Sequence, residues 1–139
     1  ACRWFIRPFR RTKVFLPQTT SLRSFFVTII ERVDGDVTVL GFQGTLMGEP
    51  EASMFQQKKF QLLEAKRNMI VIDLYELKMI NSYGLGTLIS ALVSARNRGG
   101  DIFLARVSKD IDYVIKTVQL GKVFKIFETV EEAVASFRS

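Results

Sequence analysis

A short apolar segment, a polar turn and a long amphipathic segment follow one another in the middle of the chain, and they constrain its fold most. The apolar segment Ile70–Leu74 is nearly continuous in apolar residues, as is typical of a strand covered on both faces of a sheet. The segment from Leu85 to Arg98 repeats its apolar residues at the spacing of a core-facing helix. Together they predict a central strand that leads through the turn into a helix, which glycines 99 and 100 then end.

The turn between these two segments, Asn81–Gly86, is predicted to be the functional edge of the domain. In open α/β sheets, functional residues gather where strands lead into helices. Asn81 and Ser82 both suit a helix N-cap, because their side-chain oxygens accept hydrogen bonds from otherwise unpaired backbone N–H groups. A helix start also carries a partial positive charge, which suits an anion such as phosphate. The residues alone leave both readings open, a plain cap and an anion site.

Strand and helix patterns alternate along the rest of the chain. Further strands are predicted at Phe26–Ile30, Val37–Phe42, Ile102–Ala105 and Val123–Phe127, and a tight turn at Asp34-Gly35 joins the first two. Further helices are predicted from Pro50 to Arg67, from Ile111 to Val118 with Ser108 or Asp110 as cap, and from Val130 to Phe137 behind a Thr129–Glu132 capping box. Gly44–Gly48 and Tyr75–Ile80 are interpreted as loops. The order β-β-α-β-α-β-α-β-α predicts an α/β layer fold.

Most charged residues inside the predicted elements are interpreted as structural. The pairs Asp34/Asp36, Asp110/Asp112 and Glu131/Glu132 lie in turns or at helix starts, where acids are favoured locally. Lys58-Lys59 interrupts the ragged apolar face of the first predicted helix and is interpreted as part of a solvated face. Asp73 is the exception, because a carboxylate inside a central strand needs a partner or a solvated end.

The net charge of +6 is concentrated at the N-terminus. Residues 1–24 contain six basic residues and no acid, whereas residues 25–139 contain 14 basic and 14 acidic residues. We therefore predict a basic-aromatic leader over 1–24, disordered or not native to the protein, ahead of one domain at 25–139. The alternative is an arm that touches a membrane surface or nucleic acid. The neutral domain itself has no basic stripe, so no direct nucleic-acid binding is predicted for it.

The composition excludes several kinds of catalytic site. The chain has no histidine and a single cysteine, Cys2, which removes Ser-His-Asp and Cys-His catalysis and thiolate or imidazole metal sites. A Walker-type phosphate loop is also missing. We predict a protein that is not an enzyme and uses no cofactor or metal. No apolar run approaches the roughly 20 residues that span a bilayer, so no transmembrane segment is predicted.

From Phe25 to Phe137 the chain resembles a STAS domain of the bacterial anti-sigma factor antagonist type. The resemblance rests on several segments in order and at the right spacing, namely Val71–Leu74, the turn Asn81–Gly86, the helix Leu88–Arg98 closed by Gly99-Gly100, Ile102–Val107, Leu120-Gly121, Val123–Phe127 and Glu131–Val134. It implies the STAS fold, a small mixed, mostly parallel β-sheet with an N-terminal hairpin, packed with about four helices.

The resemblance also implies a function in transcription control. Members of this family are cytoplasmic, have no catalysis of their own, and dock on an anti-sigma factor that is also a serine kinase. Docking frees a sigma factor, phosphorylation of a Ser or Thr in the turn blocks docking, and a PP2C-type phosphatase resets this partner switch. A phosphate at a helix N-terminus adds about −1.5 to −2 charges to a docking surface without unfolding the domain.

The resemblance assigns two sets of site residues in this chain. The phosphoacceptor-equivalent turn comprises Asn81, Ser82, Tyr83 and Gly84, and the partner-binding set comprises Thr45, Met47, Ser82, Tyr83 and Leu85. The chain departs from the family here, because Asn81 replaces an Asp, Tyr83 stands at the Ser or Thr acceptor position, and Met47 replaces the acid of the first loop. Ser82 is the nearest aliphatic hydroxyl and is expected to be engaged as a cap.

Two hypotheses follow from these departures. In the first, the chain is a working antagonist that is switched at Ser82 or controlled in another way. In the alternative, it is a STAS docking subunit of a transporter or another signalling complex, without a phosphorylation switch. Tyr83 would then be an aromatic anchor, a residue type enriched at binding hot spots.

Overall fold

The computed structural model describes residues 27–117 and 122–138. The leader 1–24, Phe25 and Phe26 of the first predicted strand, Val118 of the third predicted helix, and Leu120-Gly121 lie outside the described residues. The division of the chain at residue 25 therefore stays a prediction.

Over residues 27–117 and 122–138, five strands and four helices follow one another in the predicted order. The strands are β1 (Val27–Asp34), β2 (Val37–Leu46), β3 (Met69–Ile80), β4 (Asp101–Ala105) and β5 (Lys125–Phe127). The helices are α1 (Glu51–Glu64), α2 (Ser82–Asn97), α3 (Lys109–Thr117) and α4 (Val130–Phe137). The strands form one sheet in the order β1-β2-β3-β4-β5, with β1 antiparallel to β2 and the other pairs parallel. The mixed, mostly parallel sheet and the N-terminal hairpin are confirmed.

The two faces of the sheet are covered unequally. Phe42, Ile72 and their neighbours on one face pack in a large core with residues of α1, α2 and α3. On the other face, Val39, Val71 and Phe103 pack under α4 alone among the described helices. Side chains of neighbouring residues in a strand point to opposite faces, so these two sets alternate along β2 and β3. Because α4 is short, it covers only one end of its face within the described residues.

Three strands extend beyond their predicted ends, and the last one, Lys125–Phe127, is shorter than predicted. β1 continues to Asp34. β2 continues to Leu46 and β3 to Ile80, so the predicted loops at 44–48 and 75–80 are wrong over most of their length. The pairing of β2 with β3 shifts register between Gly41 and Gln43 and again between Gly44 and Thr45. Such bulges break the alternation of apolar and polar residues that marks a strand in sequence. The extension carries the end of β3 well beyond β4, which stops opposite Asp73.

Most helix boundaries follow the predicted caps. Thr129 Oγ1 accepts a hydrogen bond from the Glu132 N–H at 3.0 Å, and Ser108 rather than Asp110 caps α3 by accepting from the Ile111 N–H at 3.3 Å. Gly99 ends α2 in the left-handed region, with φ +83°. The first helix ends at Glu64 rather than Arg67, whose side chain instead donates to Thr38 and the Gly35 carbonyl in the β1–β2 hairpin.

The interpretation of Lys58 as a solvated residue is wrong. Lys58 Nζ lies 2.5 Å from Glu31 Oε1, and the two side chains are only 10% and 5% exposed. The pair joins α1 to β1 on the face of the sheet that α1 covers. A lysine can bury its long apolar stem while its charge meets a carboxylate, which is why the polar sequence pattern did not indicate burial. Lys59, the next residue, is half-buried. Its Nζ donates to the Ser94 hydroxyl of α2 at 3.5 Å.

Candidate functional site

Asn81 joins the end of β3, the end of β2 and the start of α2. Its Oδ1 accepts a hydrogen bond from the Gly84 N–H at 3.0 Å, which caps α2 as predicted. Its Nδ2 donates to the Met47 carbonyl at 2.9 Å. An aspartate could make the first bond but has no N–H for the second. Asn81 therefore suits this turn in a way that the family's Asp would not.

Gly84 and Leu85 have structural positions in the turn. A Cβ on Gly84 would lie 2.1 Å from the Leu46 carbonyl oxygen, so a glycine is required where α2 passes the end of β2. Leu85 lies in the core, and its N–H donates to the Asn81 carbonyl at 2.9 Å. Leu85 was predicted to contact a partner, but in this structure its side chain is not on the surface.

Tyr83 stands at the surface of the turn with its hydroxyl fixed. Its side chain is 51% exposed, and its hydroxyl donates to Glu49 Oε2 at 2.9 Å. Glu49 Oε1 accepts from the Ser53 hydroxyl at 2.5 Å and from the Ser53 N–H at 3.2 Å. The bonds from Ser53, then that from Tyr83, lower the pKa of the exposed Glu49 carboxyl. The bond to the Glu49 carboxylate and its charge raise the pKa of Tyr83.

Glu49 supplies the turn with a carboxylate although Met47 has replaced the acid that the family places in this loop. No local pattern indicates the Tyr83–Glu49 contact, since the two residues are 34 positions apart. An acid beside Pro50 is unremarkable at a helix start. Thr45, from the predicted partner-binding set, is half-buried. Its hydroxyl donates to Glu51 Oε2 at 3.4 Å.

Ser82 is not engaged as a cap, contrary to expectation. Asn81 takes that position, and Ser82 is the exposed first residue of α2. In the described part of the chain, no hydrogen bond involves its hydroxyl. A hydroxyl at a helix start that is both exposed and unengaged is open to modification.

Two methionines at the ends of β2 and β3 are exposed as well. Met47 is 38% and Met79 is 54% exposed, and Met79 pairs with Thr45 across the extended ends of β2 and β3. The sequence did not single out Met79 because its segment was interpreted as a loop. We call the exposed set Met47, Glu49, Met79, Ser82 and Tyr83 the turn face. It combines three large apolar side chains with one carboxylate and one free hydroxyl.

Asp73, which was expected to need a partner, has one. Its carboxylate accepts two hydrogen bonds from Arg106, from Nε at 3.0 Å and from Nη2 at 2.5 Å, and a third from the Tyr75 N–H at 3.1 Å. The bonds to Asp73 raise the pKa of the Arg106 guanidinium. This cluster lies on the α4 side of the sheet.

The described residues contain neither a cluster of metal ligands nor a membrane-spanning helix. Over 27–117 and 122–138, no group of three or more His, Cys, Asp or Glu residues is placed to hold a metal ion. No helix in these ranges is long and apolar enough to cross a membrane.

Comparisons with known proteins agree with this fold. A family model described as the STAS domain matches residues 28–133. A protein of Thermotoga maritima named "Putative anti-sigma factor antagonist" is 27% identical over 88 residues, which are 63% of this chain and 78% of that protein.

Two solved structures show the same architecture. A crystal structure of a "putative anti-sigma factor antagonist" from Thermotoga maritima superposes with a TM-score of 0.72 at 24% identity, covering 78% of this chain and 93% of that one. The phosphorylated form of the Bacillus cell fate determinant SpoIIAA superposes with a TM-score of 0.62 at 19% identity, covering 79% and 97%. The family match spans well over half of the chain, so the chain belongs to the STAS-domain family.

Proposed function

We propose that this STAS domain is an anti-sigma factor antagonist-like module, and that it docks through the turn face on an anti-sigma factor of the serine-kinase type. The observation that carries the proposal is the exposure of Tyr83 at the start of α2, together with that of Met47 and Met79 at the ends of β2 and β3. Clustered exposed apolar side chains mark interaction sites, and Tyr and Met are enriched in protein interfaces. The relative from Thermotoga maritima supports the class of partner by its name.

Rigidity of the turn face favours docking. Asn81 and Gly84 fix the backbone of the turn against the end of β2, and the Glu49 carboxylate holds the Tyr83 hydroxyl. A side chain that is already ordered loses less conformational entropy on binding. Tyr83 is therefore proposed as the central contact.

Ser82 is the proposed phosphoacceptor of the switch. Its hydroxyl is exposed and unengaged in the described structure, whereas the Tyr83 hydroxyl is bonded to Glu49. A phosphate on Ser82 would suit the N-terminus of α2, so the fold would persist. It would also add about −1.5 to −2 charges beside the Glu49 carboxylate and so repel a partner that fits the unmodified surface.

The remaining members of the proposed pathway follow from the family. The anti-sigma factor would be the kinase, a PP2C-type phosphatase would remove the phosphate, and the exchange would control a sigma factor in the cytoplasm. The domain itself would contribute binding and no catalysis.

The test uses a purified anti-sigma factor of the serine-kinase class from the same organism. Calorimetry should detect binding, and incubation with this kinase and ATP should add one phosphate to the intact protein, as measured by mass spectrometry. Ser82→Ala should abolish the mass shift, and Ser90→Ala, an exposed serine further along α2, should not. Absence of binding would reject the proposal. Binding without modification would indicate an antagonist that is not switched by phosphorylation.

The alternative function is permanent docking on a transporter or another signalling complex. It is favoured by the fixed, half-exposed Tyr83 at the position where the family has its acceptor. Here Tyr83→Ala should release the partner and Ser82→Glu should not, whereas the antagonist hypothesis expects Ser82→Glu to weaken binding strongly.

A further inference from the structure

The α4 side of the sheet carries a groove that is separate from the turn face. Its cavity has a volume of about 360 Å³ and lies beside the residues that α4 covers. We call it the sheet-face groove, and we define it by its lining residues Arg32, Gly41, Gln43, Asp73, Tyr75 and Arg106. The volume is in the range of small-molecule sites in proteins.

Gly41 forms the floor of the groove. It lies between Ile30 of β1 and Asp73 of β3 in one cross-strand row, and its missing side chain leaves the central gap. Neither crowding nor backbone conformation requires glycine here, because a Cβ would meet only the Ile30 carbonyl oxygen at 3.8 Å, and Gly41 is not among the residues with positive φ. A glycine inside a strand marks a bulge or a close approach of a ligand or another backbone, and here the pairing of β2 with β3 also shifts register directly after Gly41.

Arg106 closes one end of the groove in an unusual conformation. Its φ is +56°, in the left-handed region that residues other than glycine rarely adopt, and such strain concentrates at functional sites. Its guanidinium is held by Asp73 through Nε and Nη2 and lies 4.5 Å from the centre of the Tyr75 ring. Arg106 lines the groove, and its described hydrogen bonds use Nε and Nη2, so Nη1 is the donor that a ligand could use.

The charges of the groove select among anions. Arg32 lines the wall formed by β1. Burial lowers the pKa of its guanidinium, and the carboxylates of Glu131, Asp73 and Asp34 act in the opposite direction. Asp73 and Glu76 also line the cavity, and these acids repel a doubly charged phosphate more than a singly charged carboxylate. The Tyr75 ring has the Arg106 guanidinium over one face but stays exposed, so its other face offers a flat apolar surface.

We propose that the sheet-face groove binds a small organic acid with one carboxylate and a planar body. The carboxylate meets Arg106 and Arg32, the two arginines of the groove, and the planar body lies over Gly41 against Tyr75. Guanidinium groups match the geometry of a carboxylate through paired N–H donors. This site does not depend on the turn face or on the identity of a protein partner.

The experiment titrates the full chain with benzoate and follows the backbone amides by NMR. Saturable shifts should appear at Gly41, Tyr75 and Arg106 with a dissociation constant on the order of 1 mM, as is usual for so small a ligand. Arg106→Gln removes the guanidinium donor, and Gly41→Leu fills the floor of the groove. Each should weaken binding at least about tenfold. Arg98→Gln is the matched control, because Arg98 pairs with Glu64 outside the groove, and it should bind benzoate normally.

Two further measurements keep the result decisive. Each variant is first checked by thermal unfolding, and Tyr75→Ala replaces Gly41→Leu if the latter does not fold. Inorganic phosphate is titrated in parallel and should bind more weakly than benzoate. The proposal is overturned by absence of saturable shifts in the groove, by equal binding of phosphate, or by benzoate binding that survives Arg106→Gln.

Discussion

The Tyr83 hydroxyl donates a hydrogen bond to the Glu49 carboxylate at 2.9 Å and so ties the start of α2 to the loop before α1. The Glu49 carboxylate also accepts from Ser53, so it connects the tyrosine to the first turn of α1. A tyrosine at this position therefore has a fixed hydroxyl and an exposed ring. That arrangement suits a contact residue better than a phosphoacceptor, because its hydroxyl is already engaged.

The ring of Tyr83 is expected to contribute more to partner binding than its hydroxyl does. Tyr83→Ala should weaken binding of the anti-sigma factor by about 2 kcal/mol or more, as for a hot-spot aromatic residue. Tyr83→Phe keeps the ring and should change the binding free energy by less than about 1 kcal/mol. Calorimetry measures both, with Tyr113→Ala as control, since Tyr113 is an exposed tyrosine of α3. Equal effects of the Ala and Phe variants would contradict a role for the ring.

The Glu49 carboxylate is expected to delay ionisation of Tyr83 as the pH rises. Loss of the Tyr83 proton would break the bond to Glu49 and place two negative charges side by side, so the pKa of Tyr83 is raised. In Glu49→Gln the charge is absent, and Tyr83 should ionise at a lower pH than in the unmodified protein. Near-ultraviolet absorbance follows the titration, and Tyr83→Phe identifies the contribution of this ring. An unchanged titration in Glu49→Gln would show that the bond does not form in solution.

Restoring the family's aspartate at Asn81 is expected to destabilise this chain. Asn81→Asp keeps the acceptor for the Gly84 N–H but loses the bond to the Met47 carbonyl, at a loss of about 0.5–1.5 kcal/mol. Asn81→Ala loses both bonds and should lower the free energy of unfolding further, by roughly 1–3 kcal/mol. Urea denaturation ranks the three proteins. A more stable Asp variant would mean that attraction to the positive end of α2 outweighs the lost donor.

The repeating patterns of the sequence predicted the fold because they arise from burial. Leu85, Leu88 and Leu92 all lie in the core beneath α2, as their spacing required. The caps Thr129 and Ser108 were predicted because they act on backbone groups only a few residues away, whereas the expected engagement of Ser82 as a cap was wrong.

Contacts between segments that are distant in the chain could not be predicted from the sequence. The register shifts near Gly41 and Gly44 hid the extended ends of β2 and β3, and with them the exposure of Met79. Glu49 and Lys58 find their partners across the tertiary structure, so no local pattern marks them. The turn was located from sequence, whereas the carboxylate that shapes its chemistry was not.

Gly84 and Gly86 offer a matched pair in the turn. Gly84→Ala would place a Cβ 2.1 Å from the Leu46 carbonyl oxygen, so the start of α2 must move, and we expect a loss of about 2 kcal/mol or more in the free energy of unfolding. Gly86, two residues further in α2, has nothing within 4 Å of a built Cβ. Gly86→Ala should therefore be neutral or stabilise by up to about 1 kcal/mol, because alanine favours the helix. Denaturation curves of the two variants distinguish close packing from a general effect of the substitution.

The buried pair of Lys58 and Glu31 is expected to respond differently to single and double substitution. Lys58→Met would leave the Glu31 carboxylate 5% exposed and without its partner at 2.5 Å, and removal of one member of such a pair lowers stability by about 3–5 kcal/mol. Lys58→Met combined with Glu31→Leu removes both charges and keeps similar volumes, so most of that loss should be regained. Lys59→Met is the control, since Lys59 is its half-buried neighbour on α1. If the double variant is no more stable than Lys58→Met, the two charges are not coupled, and α1 would have to be held against β1 by its apolar contacts alone.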